Sequence, residues 1–130
     1  MTGSSARPTV LVAEDHADTR MFYAELFRQS YDVIEAGRGD QALQLAREQR
    51  PSLIVTDLSL PGITGIELAR ALKGDKATAG IPIICLSGHA DADTSKAVAA
   101  SGIDRMLVKP CMPDDLLAHV SELLVRASST

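Results

Sequence analysis

The feature that most constrains the fold is an alternation, repeated five times, of a short apolar run with a longer segment of helical period. Short runs rich in branched residues, separated by helical segments, are typical of a parallel sheet with crossover helices. The runs cover residues 9–15, 31–36, 53–57, 81–87 and 105–108, and the helical segments cover 18–29, 40–49, 65–73, 91–100 and 113–126. The sequence therefore predicts an α/β fold of five strands, each followed by a helix.

The simplest architecture for this pattern is a five-stranded parallel, doubly wound sheet of the flavodoxin-like (βα)5 type, with right-handed crossovers and helices on both faces. A chain of 130 residues suits a single domain with its own core. We expect that domain to cover residues 8–126, with short polar tails at 1–7 and 127–130. In such folds, ligands bind outside the carboxyl ends of the strands.

Composition excludes several classes of function. The 17 acidic and 13 basic residues, net −4, argue against direct nucleic-acid binding. No apolar run approaches the length of a membrane span, so we expect a cytoplasmic protein without a membrane partner. The histidines share no metal-ligand spacing, and we expect His16 to be a solvated loop residue rather than part of a pocket rim.

Polar residues stand at four of the strand ends. The first strand ends in Glu14 and Asp15, the third in Asp57, the fourth in Ser87, and the fifth runs into Lys109. Because the ends of parallel strands meet at one edge of the sheet, we expect these side chains to share one crevice. The sequence thus predicts three carboxylates, a hydroxyl and an ammonium group in one place.

Three neighbouring carboxylates cannot all stay ionised without a counter-charge, and a hard divalent cation supplies it. Mg²⁺ suits such ligands and usually acts together with a substrate phosphate. Lys109 adds a second positive charge and Ser87 a hydrogen-bond donor, which is what phosphoryl transfer requires. Carboxylates can serve as nucleophiles that form aspartyl phosphates. Asp57 stands alone in the middle of the predicted sheet, and we expect it to be that nucleophile.

The motifs VAED, VTDLSLPGITG, CLSG and VKP, in this order and at this spacing, resemble those of response-regulator receiver domains of two-component signalling. The resemblance covers residues 8–124. The family that it indicates includes regulators that act alone, such as chemotaxis regulators. It also implies a cis peptide bond between Lys109 and Pro110, a residue type for which the trans preference is small.

The resemblance assigns a role to each acidic residue. It implies that Asp57 accepts the phosphoryl group. Asp15 and Asp57 would bind Mg²⁺ directly, Glu14 would bind it through water, and the main-chain carbonyl of Ser59 would complete the protein's share. Mn²⁺ is an alternative ion for the same ligands.

Other positions bear on signalling. Met106 stands where many receivers have the Tyr or Phe that moves when the hydroxyl shifts toward the phosphoryl group, and Pro110 follows the lysine. Gly88 replaces a frequent alanine. Ser59 and His89 occupy positions that influence how fast water removes the phosphoryl group. We therefore expect switching and lifetime to depend on these residues.

The function expected from the resemblance is that of a phospho-accepting signalling domain, which catalyses only its own phosphorylation and dephosphorylation. The donor would be a phosphohistidine of a sensor histidine kinase or a histidine phosphotransfer protein. The downstream protein would bind the face made by the fourth helix, the fifth strand and the fifth helix.

Three alternatives stay open at this point. The chain could be a receiver excised from a larger hybrid kinase or transcription regulator, although its tails favour a stand-alone regulator. It could be a phosphatase with an aspartyl nucleophile, as in haloacid-dehalogenase-like proteins, but those have a second Asp where this chain has Ser59. It could be a docking module that is never phosphorylated, but every charged member of the pocket is retained.

Overall fold

The computed structural model describes residues 7–88 and 91–128. Its centre is a parallel five-stranded sheet in the order β2-β1-β3-β4-β5. This is the flavodoxin-like order predicted for a doubly wound sheet. The strands are β1 (Thr9–Ala13), β2 (Asp32–Ala36), β3 (Leu53–Asp57), β4 (Ile83–Ser87) and β5 (Arg105–Val108).

One helix follows each strand, as the sequence predicts. Most of these helices begin and end within a residue or two of the predicted positions. The helices are α1 (Ala17–Arg28), α2 (Gly39–Gln49), α3 (Gly65–Lys73), α4 (Ala92–Ser101) and α5 (Pro113–Ser128). Among the described residues, no helix combines the length and the apolar character that crossing a membrane requires.

Three boundaries differ from the prediction by two residues. β1 ends at Ala13, so Glu14 and Asp15 lie in the loop that follows it. β4 begins at Ile83 because Pro82 has no N–H to give to the sheet. α5 continues through Ser128, so it includes two residues of the segment predicted as the C-terminal tail. The other residues predicted as tails, apart from Arg7, lie outside the described ranges.

The core has two layers, one on each face of the sheet. Leu11, Ile54 and Ile83 face α2, α3 and α4, and Val10, Val55 and Ile84 face α1 and α5. Every residue of β3 and β4 is buried. A strand that is covered on both faces cannot alternate apolar and polar residues, which explains the continuous apolar runs of the sequence.

Side-chain caps fix where two of the helices begin. The Thr64 hydroxyl accepts a hydrogen bond from the Glu67 amide, and the Glu67 carboxylate accepts one from the Thr64 amide. The Asp91 carboxylate accepts a hydrogen bond from the Thr94 amide at the start of α4. Such caps satisfy amide groups that the first turn of a helix leaves without a partner. α3 and α4 are therefore held at defined positions beside the carboxyl ends of β3 and β4.

Candidate functional site

The carboxyl edge of the sheet holds three polar side chains that are almost fully buried. Glu14 is 2% exposed, Asp57 9% and Ser87 3%. β1 and β3 lie side by side where the strand order reverses. A doubly wound sheet opens a crevice at this place, so the fold itself brings Glu14 and Asp57 to a ligand site.

Lys109 joins the two buried carboxylates. Its Nζ donates a hydrogen bond to Asp57 Oδ2 over 3.2 Å, between residues 52 positions apart in the sequence. It also lies 3.6 Å from Glu14 Oε1, too far for a hydrogen bond. Burial works to lower the pKa of Lys109, but the hydrogen bond and charge of Asp57 and the charge of Glu14 together raise it above its usual value. Lys109 is therefore positively charged at neutral pH.

The loop after β1 folds back on the Glu14 carboxylate. Oε2 of Glu14 accepts a hydrogen bond from the His16 main-chain N–H over 3.0 Å. Nδ1 of His16 lies 3.0 Å from the same oxygen and 3.4 Å from Asp15 Oδ1. The hydrogen bond to Glu14, and then the charges of Asp15 and Glu14, raise the pKa of His16. His16 is exposed as expected. It also contacts Glu14 and Asp15 and so belongs to the rim of the pocket, which the sequence did not lead us to expect.

Arg20 holds the backbone of this loop from α1. Its guanidinium donates to the Glu14 carbonyl over 2.9 Å and pairs with Glu35 of β2 at 3.3 Å. Arg28 pairs with the other oxygen of Glu35 at 3.0 Å. No local signal marks these residues, because their partners lie 6 to 15 positions away in the sequence, beyond one helical turn, and only the folded chain brings them together.

The turn after β3 presses closely on Asp57. The Ser59 amide points to Asp57 Oδ1 at 3.5 Å, and Gly65 at the start of α3 donates to the Leu58 carbonyl. A Cβ atom added to Gly65 would lie only 2.5 Å from the Asp57 carbonyl oxygen. Glycine is therefore the residue that lets α3 begin against the backbone of Asp57.

A cavity of about 350 Å³ opens beside Asp57. Its lining includes Ser59 from the turn after β3, Ser87 from the end of β4, and Asp93 and Thr94 from the first turn of α4. The Ser87 carbonyl accepts a hydrogen bond from the Lys109 amide over 2.7 Å. The structure thus brings the predicted residues of β3, β4 and β5 to one crevice, with room for a small group on Asp57.

Comparisons with known proteins give the family of this site. A family model described as the response regulator receiver domain matches residues 10–121. The chain belongs to this family. The resemblance in the motifs is thus confirmed, and the protein is a receiver domain of two-component signalling.

Individual relatives agree with this assignment. The phosphate regulon transcriptional regulatory protein PhoB of Pseudomonas aeruginosa is 37% identical over 119 residues, which are 91% of this chain and 52% of PhoB. Histidine kinase P4 of Formosa agariphila is 31% identical over 118 residues, 91% of this chain and 9% of that protein. The chain thus spans about half, or much less, of the length of these relatives.

A solved structure has the same fold. The receiver domain of a signal transduction histidine kinase from Syntrophus aciditrophicus superposes with a TM-score of 0.89 at 27% identity, covering 95% of this chain and 94% of that one.

The acidic pair of the receiver fits a divalent cation. Oε1 of Glu14 is buried and, within residues 7–88 and 91–128, has no hydrogen-bond partner. A buried carboxylate oxygen in this condition is costly unless a cation satisfies it. Carboxylate oxygens are also the donors that Mg²⁺ prefers. Glu14 and Asp15 are therefore suited to hold it beside Asp57.

Residues predicted to affect switching lie around the receiver's pocket. Met106 of β5 is half-buried and stands opposite Cys85 of β4. Side chains alternate along a strand, so Ser87 lies on the same face two residues further on. Gly88 is exposed, and a Cβ atom added to it would meet no atom of the described residues within 4 Å. His89 lies outside the described residues. The predicted cis bond between Lys109 and Pro110 is present.

Proposed function

We propose that Asp57 accepts a phosphoryl group from a phosphohistidine on a sensor histidine kinase or a histidine phosphotransfer protein. The contact that carries this proposal is the 3.2 Å hydrogen bond between Lys109 Nζ and Asp57 Oδ2. This hydrogen bond holds the Asp57 carboxylate and the Lys109 ammonium group together at the edge of the sheet, beside a cavity large enough for a phosphoryl group.

In the transfer step, a carboxylate oxygen of Asp57 forms a bond to phosphorus. The P–N bond of the phosphohistidine breaks, and the donor imidazole keeps the electron pair. Lys109 stabilises the negative charge of the equatorial oxygens, and the Ser87 hydroxyl can donate to one of them. Asp15, Asp57 and the Ser59 carbonyl, with Glu14 acting through water, would hold Mg²⁺, which would supply the remaining positive charge.

The product carries a new dianion in the place where Lys109 and Ser87 converge. Ser87 ends β4, and Lys109 follows β5. Drawing both residues inward therefore shifts the equilibrium between two conformations of the face formed by α4, β5 and α5. Changing this face from mostly inactive to mostly active needs about 5 kcal/mol of differential interaction. Met106 belongs to β5, which is part of that face, and its side chain is flexible enough to move with it. We propose that a downstream protein reads this face.

The geometry gives no support to a phosphatase role. Ser59, which stands where aspartyl phosphatases have their general acid, is exposed and has a hydroxyl in place of a carboxyl group. Turnover of added phosphate esters is therefore not expected.

Phosphate-affinity electrophoresis tests the proposal. The protein is incubated with acetyl phosphate and Mg²⁺, and a retarded band is expected that disappears with EDTA. Asp57→Asn should show no such band, whereas Asp114→Asn, at an exposed carboxylate of α5, should behave like the wild type. A retarded band that persists in Asp57→Asn would overturn the assignment of Asp57.

A further inference from the structure

Arg20 of α1, which lies outside the receiver motifs, contacts the main chain of the acidic pair. The hydrogen bonds between β1 and β2 end where the Glu14 amide donates to the Ala36 carbonyl over 3.0 Å. The next main-chain group, the Glu14 carbonyl, accepts a hydrogen bond from Nη1 of Arg20 over 2.9 Å. Beyond the end of β1, a side chain of α1 therefore takes over the hydrogen bonding of this backbone.

The position of the Glu14 carbonyl affects the next residue, Asp15. The peptide group is planar, so the Glu14 carbonyl, the Asp15 amide and the Asp15 Cα atom lie in one plane. A rotation of this plane would move the Cα atom of Asp15 and its carboxylate with it. The Asp15 side chain is 35% exposed, so packing holds it less firmly than the buried Glu14. The hydrogen bond from Arg20 thus helps to decide where the Asp15 carboxylate lies.

The Arg20 side chain is itself held by β2. Its Nε pairs with Glu35 Oε1 at 3.3 Å, and the other oxygen of Glu35 pairs with Arg28 at 3.0 Å. The Arg20 side chain is only 23% exposed. A guanidinium group has its N–H donors in a rigid, planar arrangement, so it can bridge a carboxylate on one side and a carbonyl on the other. Glu35 therefore fixes the direction in which Arg20 donates to the loop.

The charge of Arg20 and its geometry have opposite effects on a bound cation. A positive charge close to a cation repels it, so the charge alone would weaken Mg²⁺ binding. A hydrogen bond that holds the backbone of the acidic pair would strengthen it, because the ligands are then placed before the ion arrives. The sign of the change on removing Arg20 therefore separates the two effects.

We propose that Arg20 is a positioning residue for the acidic pair. It holds the peptide group between Glu14 and Asp15 in the orientation from which Asp15 binds Mg²⁺, and Glu35 holds Arg20 in place. This inference rests on the Mg²⁺ site of the proposed function. It makes the contact between α1 and β2 one of the factors that set how strongly the receiver binds its metal.

Calorimetric titration of the whole chain with Mg²⁺ tests the role of Arg20. The wild type is compared with Arg20→Met, Arg20→Lys and the matched control Arg28→Met. The control also loses a positive charge and an ion pair with Glu35, but it keeps the hydrogen bond from Arg20 to Glu14. In Arg20→Met, Glu35 is still paired with Arg28, so we expect both variants to fold, which circular dichroism checks.

The expected results differ between these variants. Arg20→Met should bind Mg²⁺ about 10-fold more weakly, since residues behind a metal ligand affect metal affinity by about 10–100-fold. Arg28→Met should stay within about twofold of the wild type, because its partly exposed charge is screened. Arg20→Lys should recover part of the loss, since one ammonium group keeps the charge but not the planar arrangement of donors. Equal or tighter Mg²⁺ binding in Arg20→Met would overturn the proposal, and so would an equal loss in Arg28→Met.

The dependence of phosphorylation on Mg²⁺ gives a second readout. Arg20→Met should need about 10-fold more Mg²⁺ for its half-maximal rate. At saturating Mg²⁺ it should approach the wild-type rate, because Asp57, Ser87 and Lys109 are unchanged. A lower maximal rate with an unchanged requirement for Mg²⁺ would contradict a positioning role.

Nuclear magnetic resonance of the metal-free protein separates this inference from the proposed function. The ¹³C resonance of the Glu14 carbonyl should shift in Arg20→Met, which loses the hydrogen bond to it, and should stay in place in Arg28→Met. An unchanged resonance in Arg20→Met would overturn the inference without any use of Mg²⁺ or a phosphodonor. The absence of a retarded band in the wild type, in contrast, would overturn the proposed phosphorylation and leave the contact between Arg20 and Glu14 as it is.

Discussion

At the amino edge of the sheet, Lys73 and Asp104 lie 3.6 Å apart but form their hydrogen bonds with main-chain groups, whereas at the carboxyl edge Lys109 donates its hydrogen bond to the carboxylate of Asp57. Lys73 donates to the carbonyls of Ala79 and Ile81 over 3.1 and 2.8 Å. Asp104 accepts a hydrogen bond from the Ile83 amide over 2.7 Å. These contacts tie the loops before β4 and β5 and leave a mainly apolar cavity of about 590 Å³ between that edge and α5.

The carboxyl edge is built differently. Glu14 and Asp57 are both buried and share one lysine, and Glu14 keeps an oxygen without a hydrogen bond in the described structure. Burying charges in this way costs stability unless they are paired. The same sheet therefore uses charge for folding at one edge and keeps charge available for a ligand at the other. Substitutions at the amino edge should therefore change mainly the stability of the fold, and substitutions at the carboxyl edge should change mainly the rate of phosphorylation.

The largest expected effect is that of Lys109→Ala. Removing a donor from the developing charge of a transition state costs about 100-fold or more in rate. The variant should therefore be phosphorylated by acetyl phosphate about 100-fold more slowly than the wild type, as measured by the rise of the retarded electrophoretic band. Lys76→Ala, at an exposed lysine, is the control and should keep the wild-type rate. A rate within threefold of the wild type would contradict the role given to Lys109.

The loss of stability in the same variant should depend on pH. The pKa of Lys109 is raised in the folded protein by Asp57 and Glu14, although burial opposes this with the largest single effect. Its contribution to stability is then fully present below the unfolded pKa of about 10.4 and is lost as the pH rises through the higher folded value. Urea unfolding should show a constant difference in free energy between wild type and Lys109→Ala from pH 7 to 9, and a shrinking difference above about pH 10.4. A difference that grows with pH would contradict the ion pair.

Gly65→Ala should have an intermediate effect. The added methyl group would lie 2.5 Å from the Asp57 carbonyl oxygen, so the start of α3 must move. Overpacking of this kind typically costs about 1–3 kcal/mol in the free energy of unfolding. Because the strain falls on Asp57, phosphorylation should also slow. For the free energy of unfolding, Gly88→Ala is the matched control, since its methyl group would meet no atom of the described residues within 4 Å. If both variants unfold at the same urea concentration, the close approach at Gly65 is not a constraint.

The smallest expected effect is that of Lys73→Met at the amino edge. The variant loses two hydrogen bonds to main-chain carbonyls, at about 0.5–1.5 kcal/mol for a typical one. We expect a loss of about 1–2 kcal/mol in the free energy of unfolding with an unchanged rate of phosphorylation. Lys96→Met, at an exposed position of α4, should change neither quantity. If Lys73→Met is fully folded under the assay conditions and is still phosphorylated more slowly, the amino edge affects the reaction at the carboxyl edge.

Much of the fold could be predicted because each element has a local signal. Buried central strands require continuous apolar runs, and covering helices require helical periodicity, so all ten elements could be placed. The predicted strands in turn indicated their own carboxyl ends, where Asp57, Ser87 and Lys109 lie. The errors were at boundaries such as Pro82, where one missing N–H decides where the strand begins.

The residues alone show which groups stand at this edge: carboxylates, a hydroxyl and a lysine at the ends of parallel strands. How these groups share charge depends on the folded chain. There, Lys109 donates to Asp57, one oxygen of Glu14 has no hydrogen bond among the described residues, and His16 turns back onto the acidic pair. The physical reason is that distances of 3 to 4 Å between side chains depend on strand register and loop path. These are set by the packing of the whole sheet, which no local pattern of residues encodes.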